Sequence, residues 1–364
     1  MPKRILLIAL LTLIIILSFD IVKFATKPDI SFNPAFPTIT PDVSSNSNFS
    51  LIMPPAKKLL ENNYHIFQTF NNCGPAALSM ALSYFGVNVS QQKLGEDLRP
   101  YQNIQGDNDD KSVTLEELAD KSKEYGFIPY HRPNGNIKLI KLFITYDIPI
   151  IARTLTKANE DIGHYRVVKG YDETSGTIIQ DDSLQGKNLE YLSGEFNILW
   201  EKFNYEYLVL VPNDKKEIAE MILGEDVDFK TSWSNAVKSA ESQLAKNQNN
   251  IYTRFNLSIA LYNVGNFKRS TEEFEKVENY LPFRTLWYQI EPVLAYFELG
   301  NYQKVFDITD KILNNGNRAF SELYLIRGYA FQKEGNIQVA KEEFEKAVFY
   351  NRNYKKAKIA LESV

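Results

Sequence analysis

The rhythm of apolar and polar positions changes several times along this chain, and each change predicts a different kind of segment. From Ile5 to Phe19 the residues are apolar apart from Thr12 and Ser18, after a short basic start at Met1 to Arg4. A run with no polar face does not suit a surface helix. It reads as an export segment, either a cleaved signal peptide or a signal-anchor: it falls short of the roughly 20 residues of a comfortable membrane span, and no clear small-x-small cleavage site follows it. Lys3 and Arg4 favour an amino end kept in the cytoplasm, which puts the rest of the chain across the membrane. From Thr26 to Pro55 the pattern breaks up among Pro28, Pro34, Pro37, Pro41, Pro54 and Pro55, with Ser, Asn and Thr between them. That composition predicts a linker.

Period-3.6 and period-2 segments then alternate. Ala77, Leu78, Ala81, Leu82 and Phe85 predict a helix that starts near Cys73 and stops at Gly86, with Asn72 placed to cap it. Thr114-x-x-Glu117 is a capping box for a helix ending near Gly126. The apolar run Ile148 to Ala152 predicts a buried strand. A second strand begins at Gly163-His164 and runs to Tyr171, a turn covers Asp172 to Gly176, and Thr177 to Gln180 returns into Asp181-Asp182-Ser183. Tyr205 to Val211 closes the set, giving an α+β domain.

Beyond it, Gly265-Asn266-Phe267, Gly300-Asn301-Tyr302 and Gly335-Asn336-Ile337 recur at a spacing of 35 residues. A helical pattern precedes each glycine (Leu257, Ala260, Leu261; Val293, Tyr296, Phe297; Leu325, Tyr329, Ala330). Another follows it (Ser270, Phe274, Val277; Val305, Thr309, Ile312; Ala340, Phe344, Ala347). A helix-turn-helix array is expected. Its order of glycine, large apolar, small and phenylalanine (Gly265, Phe267, Ser270, Phe274; Gly335, Ile337, Ala340, Phe344) resembles tetratricopeptide repeats; the middle copy departs at Val305 and Thr309. The resemblance runs from about Phe229 to the end, with Trp233 to Leu244 as a leading helix. It implies either an array that binds a peptide or partner protein, or one that packs on the preceding domain.

Composition narrows the function. Lys and Arg number 41 against 45 Asp and Glu, a net charge of -4, which leaves no electrostatic footprint for nucleic acid. The single cysteine excludes a disulfide framework, a multi-cysteine metal site and, lacking a lipobox, a lipoprotein. The acidic stretch Asp107 to Asp110 lacks the glycine and glutamate spacing of a calcium loop and reads as a solvated loop.

At the start of its helix, Cys73 would feel the positive end of the helix dipole, which favours the reactive thiolate. Three histidines are present, His65, His131 and His164. His164 opens a strand whose hairpin partner ends in aspartates, a geometry in which a carboxylate orients an imidazole. His131 is expected in a loop stretch, and His131 and His65 are expected to be surface or packing residues. Gln68 followed by Asn72-Cys73-Gly74-Pro75-Ala76, with His164 and Asp181-Asp182-Ser183 downstream, resembles the papain-like bacteriocin-processing (double-glycine) cysteine peptidases in their stand-alone form. The resemblance implies Cys73 as nucleophile, Gln68 as an oxyanion donor, His164 as base and Asp182, or alternatively Asp181, as the orienting acid. Gln68 stands one residue closer to the cysteine than is commonest in that family.

The expected layout is an export segment at 1–25, a linker at 26–56, a papain-like peptidase domain at 57–212, a connecting segment at 213–228 and repeats at 229–364. The expected protein is an extracytoplasmic cysteine peptidase acting on a peptide or protein substrate, at the membrane or secreted, with no metal or organic cofactor. An idle peptide-binding scaffold and a transglutaminase-like acyl transferase are the alternatives.

Overall fold

The structure is a computed structural model that describes residues 50–101 and 112–364. The export segment, residues 26–49 of the linker and Asp107–Asp110 lie outside the described residues.

Among the described residues seven strands form one antiparallel sheet: β1 (Lys57–Leu59), β2 (Ile128–Arg132), β3 (Ile150–Leu155), β4 (Gly163–Asp172), β5 (Thr177–Asp182), β6 (Gly186–Leu192) and β7 (Tyr207–Val211). The order is β2-β7-β3-β4-β5-β6, with β1 pairing the far end of β4. At that pairing only a glycine fits: a Cβ on Gly170 would lie 2.8 Å from the Lys58 carbonyl oxygen. Both faces of the sheet are covered, so β3, β5 and β7 are buried along their whole length. On one face Ile151, Tyr165, Val167, Leu208 and Leu210 pack against α1 (Cys73–Ser83), α2 (Gln91–Leu98) and α3 (Leu115–Lys123). On the other, Ile150, Ala152, Val168, Tyr207 and Val209 meet α4 (Ile137–Thr145), α5 (Ser193–Trp200) and α6 (Lys216–Leu223). The Thr114–Glu117 capping box is formed at the start of α3.

Two local expectations are corrected. His131 sits on β2, paired with Leu208, instead of in a loop; the proline at 133 falls just beyond the last ladder position. Asn72 occupies the N-cap of α1, but its side chain makes no capping bond and donates to Thr69 Oγ1 at 2.8 Å.

The rest is helical: α7 (Phe229–Lys246), α8 (Ile251–Asn263), α9 (Phe267–Glu275), α10 (Thr285–Tyr288), α11 (Glu291–Glu298), α12 (Tyr302–Asn314), α13 (Ser321–Lys333), α14 (Ile337–Tyr350) and α15 (Lys355–Glu362). The Gly-Asn pairs have a division of labour. Gly265, Gly300 and Gly335 take positive φ of 84°, 72° and 83°, which ends the first helix of each pair. Asn266 and Asn301 then accept from the Arg269 and Lys304 amides and cap the second. Within a pair the helices approach closely where a side chain is small. A Cβ on Gly328 would lie 2.3 Å from Phe344 Cε1, and Phe344 is fully buried.

The array is bound to the sheet domain at separate places. Asn256 Nδ2 donates to the Glu201 carbonyl at 2.6 Å. Arg99, only 7% exposed, pairs with both Glu117 and Glu322 at 2.7 and 2.6 Å. Asn353 Nδ2 donates to the Asp97 carbonyl at 2.9 Å.

Replacing Gly328 by valine forces the buried Phe344 ring out of its place. The G328V variant should lose at least about 2 kcal/mol, combining overpacking with a poorer helix former, as read by urea denaturation. Unchanged stability would show that the helices separate without cost.

Candidate active site

Alternation along two strands decides which aspartate meets the histidine. Arg166 lies opposite Asp182 and Val167 opposite Asp181. His164 and Arg166 share one face of β4, and Asp182 shares it across the ladder; Asp181 projects to the opposite face. There Asp181 pairs with Lys169 at 2.8 Å and accepts from Tyr84. The Asp182 carboxylate instead lies 2.9 Å, through Oδ1, from His164 Nε2. The same oxygen accepts the Leu184 and Gln185 amides at 2.7 and 2.9 Å, where the chain turns towards β6. Oδ2 faces Arg166 Nε at 3.1 Å, an ion pair whose alignment falls short of a hydrogen bond.

Burial alone would push the Asp182 carboxyl up, but His164, Arg166 and the Leu184 amide together pull it down to about 2. It is therefore ionised and only accepts, so the hydrogen of the 2.9 Å bond sits on His164 Nε2.

The end of β5 also holds the segment that carries Gln68. The Gln68 amide donates to the Ser183 carbonyl at 2.8 Å, and the Ser183 hydroxyl donates to Gln68 Oε1 at 2.9 Å. With its oxygen engaged, the side-chain amide presents its NH2 as a donor. His65 Nε2 donates to the Asp182 carbonyl at 3.0 Å, and Gln91 bridges the Phe67 carbonyl and the Thr69 amide at 2.7 and 2.9 Å.

Cys73 is the first residue of α1 and is 5% exposed. Burial pushes its thiol up to about 11, opposed by the Gly74 and Cys73 backbone N–H groups and by Arg153, with the Asp182 charge adding to the rise. The helix-start amides act in the expected direction, but desolvation outweighs them in this state. The helix start rests on the strand that carries the histidine: a Cβ on Gly74 would lie 3.3 Å from the Tyr165 ring. Among the described residues no hydrogen bond joins the Cys73 sulfur to the His164 ring.

Of the other histidines, His131 pairs with Glu206 Oε2 at 3.0 Å, away from this constellation, and His65 serves it only through the Asp182 carbonyl. Sequence reasoning missed Arg166, which is fully buried and donates to Thr154 Oγ1 and to the Leu155 and Thr156 carbonyls at 2.6 and 2.8 Å. Its position two residues after His164, on the same strand face, was the available signal. Arg153 and Gln91 had none, because their partners are distant in sequence.

Residues 55–208 match the model of the Peptidase_C39 like family. Among solved structures, a candidate C39-like peptidase from Bacillus anthracis is 16% identical over 43% of this chain and 98% of its own, with a TM-score of 0.37. The peptidase domain of Streptococcus ComA, described as a bifunctional ABC transporter of a quorum-sensing pathway, is 21% identical over 43% of this chain and 98% of its own, at 0.33. MamA from Desulfovibrio magneticus is 16% identical over 36% of this chain and 83% of its own, at 0.30. No curated protein matches the chain.

Since the folded Asp182 pKa lies below the ordinary carboxylate value of 3.8, its contribution to stability is complete above that value and fades as pH falls towards about 2. Between pH 5 and pH 2 the native protein should lose about 2 kcal/mol more than Asp182→Asn, as measured by urea denaturation at each pH. Parallel pH profiles would show that Asp182 carries no stabilised charge.

Proposed function

We propose that this chain, a C39-like peptidase domain fused to tetratricopeptide-like repeats, hydrolyses peptide bonds with Cys73 as nucleophile and His164 as base. The observation that carries the reading is the buried Asp182–His164 hydrogen bond of 2.9 Å beside the strand on which the Cys73 helix rests. Such a bond holds one imidazole nitrogen as a donor and leaves the other basic.

His164 Nδ1 takes the thiol proton as the Cys73 sulfur attacks the scissile carbonyl carbon, and the carbonyl π electrons move to oxygen. The Gln68 side-chain NH2 and the Cys73 backbone N–H stabilise that oxyanion. As the carbonyl re-forms, the C–N bond breaks and His164 returns its proton to the leaving amine. A thioester on Cys73 remains. His164 then deprotonates water, which attacks the thioester; the carboxylic product leaves and the sulfur recovers the proton. Asp182 balances the imidazolium in both halves. A contact between thiol and imidazole that tightens only with substrate bound is ordinary for such pairs.

The basic start at Met1 to Arg4 and the apolar run to Phe19 support an extracytoplasmic enzyme, anchored or secreted. The repeats are proposed to bind a peptide or partner protein.

Comparing new protein termini generated by the native chain and by Cys73→Ala tests the reading. The native chain should produce a set of cleavages absent with C73A, and His164→Ala should lower their rate by at least about 100-fold. Cleavages that persist in C73A would overturn the proposal and leave a peptide-binding scaffold. An amide product formed with added primary amine, without free acid, would assign acyl transfer instead.

A further inference from the structure

We infer that Tyr288, supplied by the repeat region, forms one wall of the peptidase site, so that the repeats restrict what reaches Cys73 to slender, extended polypeptide. The inference rests on the reading of Cys73 and His164 as the reacting pair.

Tyr288 belongs to the short helix α10, between the first and second Gly-Asn pairs, yet it packs against the residue that introduces His164. A Cβ on Gly163 would lie 3.1 Å from Tyr288 Cε1 and 3.2 Å from Phe203 Cζ. The Tyr288 and Phe203 rings meet edge to face with centroids 6.0 Å apart. The backbone of α10 is tied down as well: Arg153 Nη2 donates to the Tyr288 carbonyl at 2.8 Å. Arg153 lies opposite Tyr165 in the ladder, and its guanidinium stands 5.9 Å from the Tyr165 ring. That is the ring on which the Cys73 helix start rests. One arginine thus links the repeat segment to the floor of the site.

The loop leading into β4 is gripped from the same direction. Arg284 pairs with Asp161 at 2.7 Å and donates its own amide to that carboxylate at 3.2 Å. Tyr288 is also within electrostatic reach of Cys73. Burial raises the phenol's pKa against the Gly163 amide, and a thiolate at Cys73 raises it further. On the other flank of the site the surface is open, with Phe67 64% and Leu184 53% exposed. A site with a fixed aromatic wall on one side and open surface on the other excludes folded partners and admits an extended chain.

Because Cys73 is the only cysteine, its alkylation reports access directly. Rates are to be compared for iodoacetamide and for the bulky 5-iodoacetamidofluorescein. The ratio of bulky to small probe should rise at least about tenfold in Tyr288→Ala, the removal of an anchoring aromatic. It should rise about two- to fivefold in Asp161→Asn, which breaks a partly exposed ion pair. Tyr288→Phe should keep the native ratio, since shape and not the hydroxyl forms the wall. Unchanged ratios in folded Y288A and D161N would overturn the inference, and D161N alone decides if Y288A does not fold. Peptide cleavage measured alongside separates the two claims: altered ratios in a protein that cleaves nothing keep the wall and reject the peptidase reading.

Discussion

The Asp182 carboxylate is fully buried, takes three donors on Oδ1 and faces a guanidinium from Oδ2. A charge removed from water in this way is tolerated only when its neighbours replace the lost hydration, and deleting any one of them leaves the remainder uncompensated. That requirement fixes more than one residue. It sets the plane of the His164 ring and the nitrogen that faces the carboxylate, ties the end of β5 to the start of β6 through the Leu184 and Gln185 amides, and holds Arg166 where it gathers the carbonyls that end β3. Ser183 continues the same strand end and holds Gln68. The groups proposed as base, orienting acid and oxyanion donor therefore share one anchoring point, while the proposed nucleophile arrives on a separate helix packed against the neighbouring strand residue.

That arrangement separates what the sequence made legible from what it did not. The helix beginning at Cys73, the hairpin from His164 to Asp182 and the Gly-Asn repeats are local patterns, each set by a short-range period and a stop signal. Choosing between Asp181 and Asp182 took a family comparison at the sequence level, whereas the ladder register separates them by which face each occupies. The strand through His131 was missed because its five residues include a proline and two basic side chains, and its burial comes from β7, nearly eighty residues later. Asn72 stands at the cap position as its residue type suggests, but a nearby threonine hydroxyl takes its side chain. Arg153 and Tyr288 carried no local signal: their meeting depends on how the helical array docks.

The docking changes how the two halves relate. Repeats of this kind could equally have hung free from the sheet domain. Here the array is bound through Asn256 near one end, Arg284 and Tyr288 beside the site, and Glu322 and Asn353 towards the other end. The buried, protonated Cys73 thiol is the chemical counterpart of that closure. A thiol kept neutral by burial is protected from adventitious oxidation and alkylation, and in the proposed reaction it is activated by proton transfer to the His164 imidazole once a substrate carbonyl is present.

The claim on which these relations rest is that Asp182 fixes His164 with its proton on Nε2 and its lone pair on Nδ1. With three histidines in the chain, selective nitrogen-15 histidine labelling and long-range proton–nitrogen correlation spectra resolve each ring's tautomer. The account predicts neutral His164 as the Nε2–H tautomer in the native protein and a mixture of tautomers once Asp182 is replaced by alanine. A native His164 found as the Nδ1–H tautomer, or a tautomer indifferent to the loss of Asp182, would contradict it.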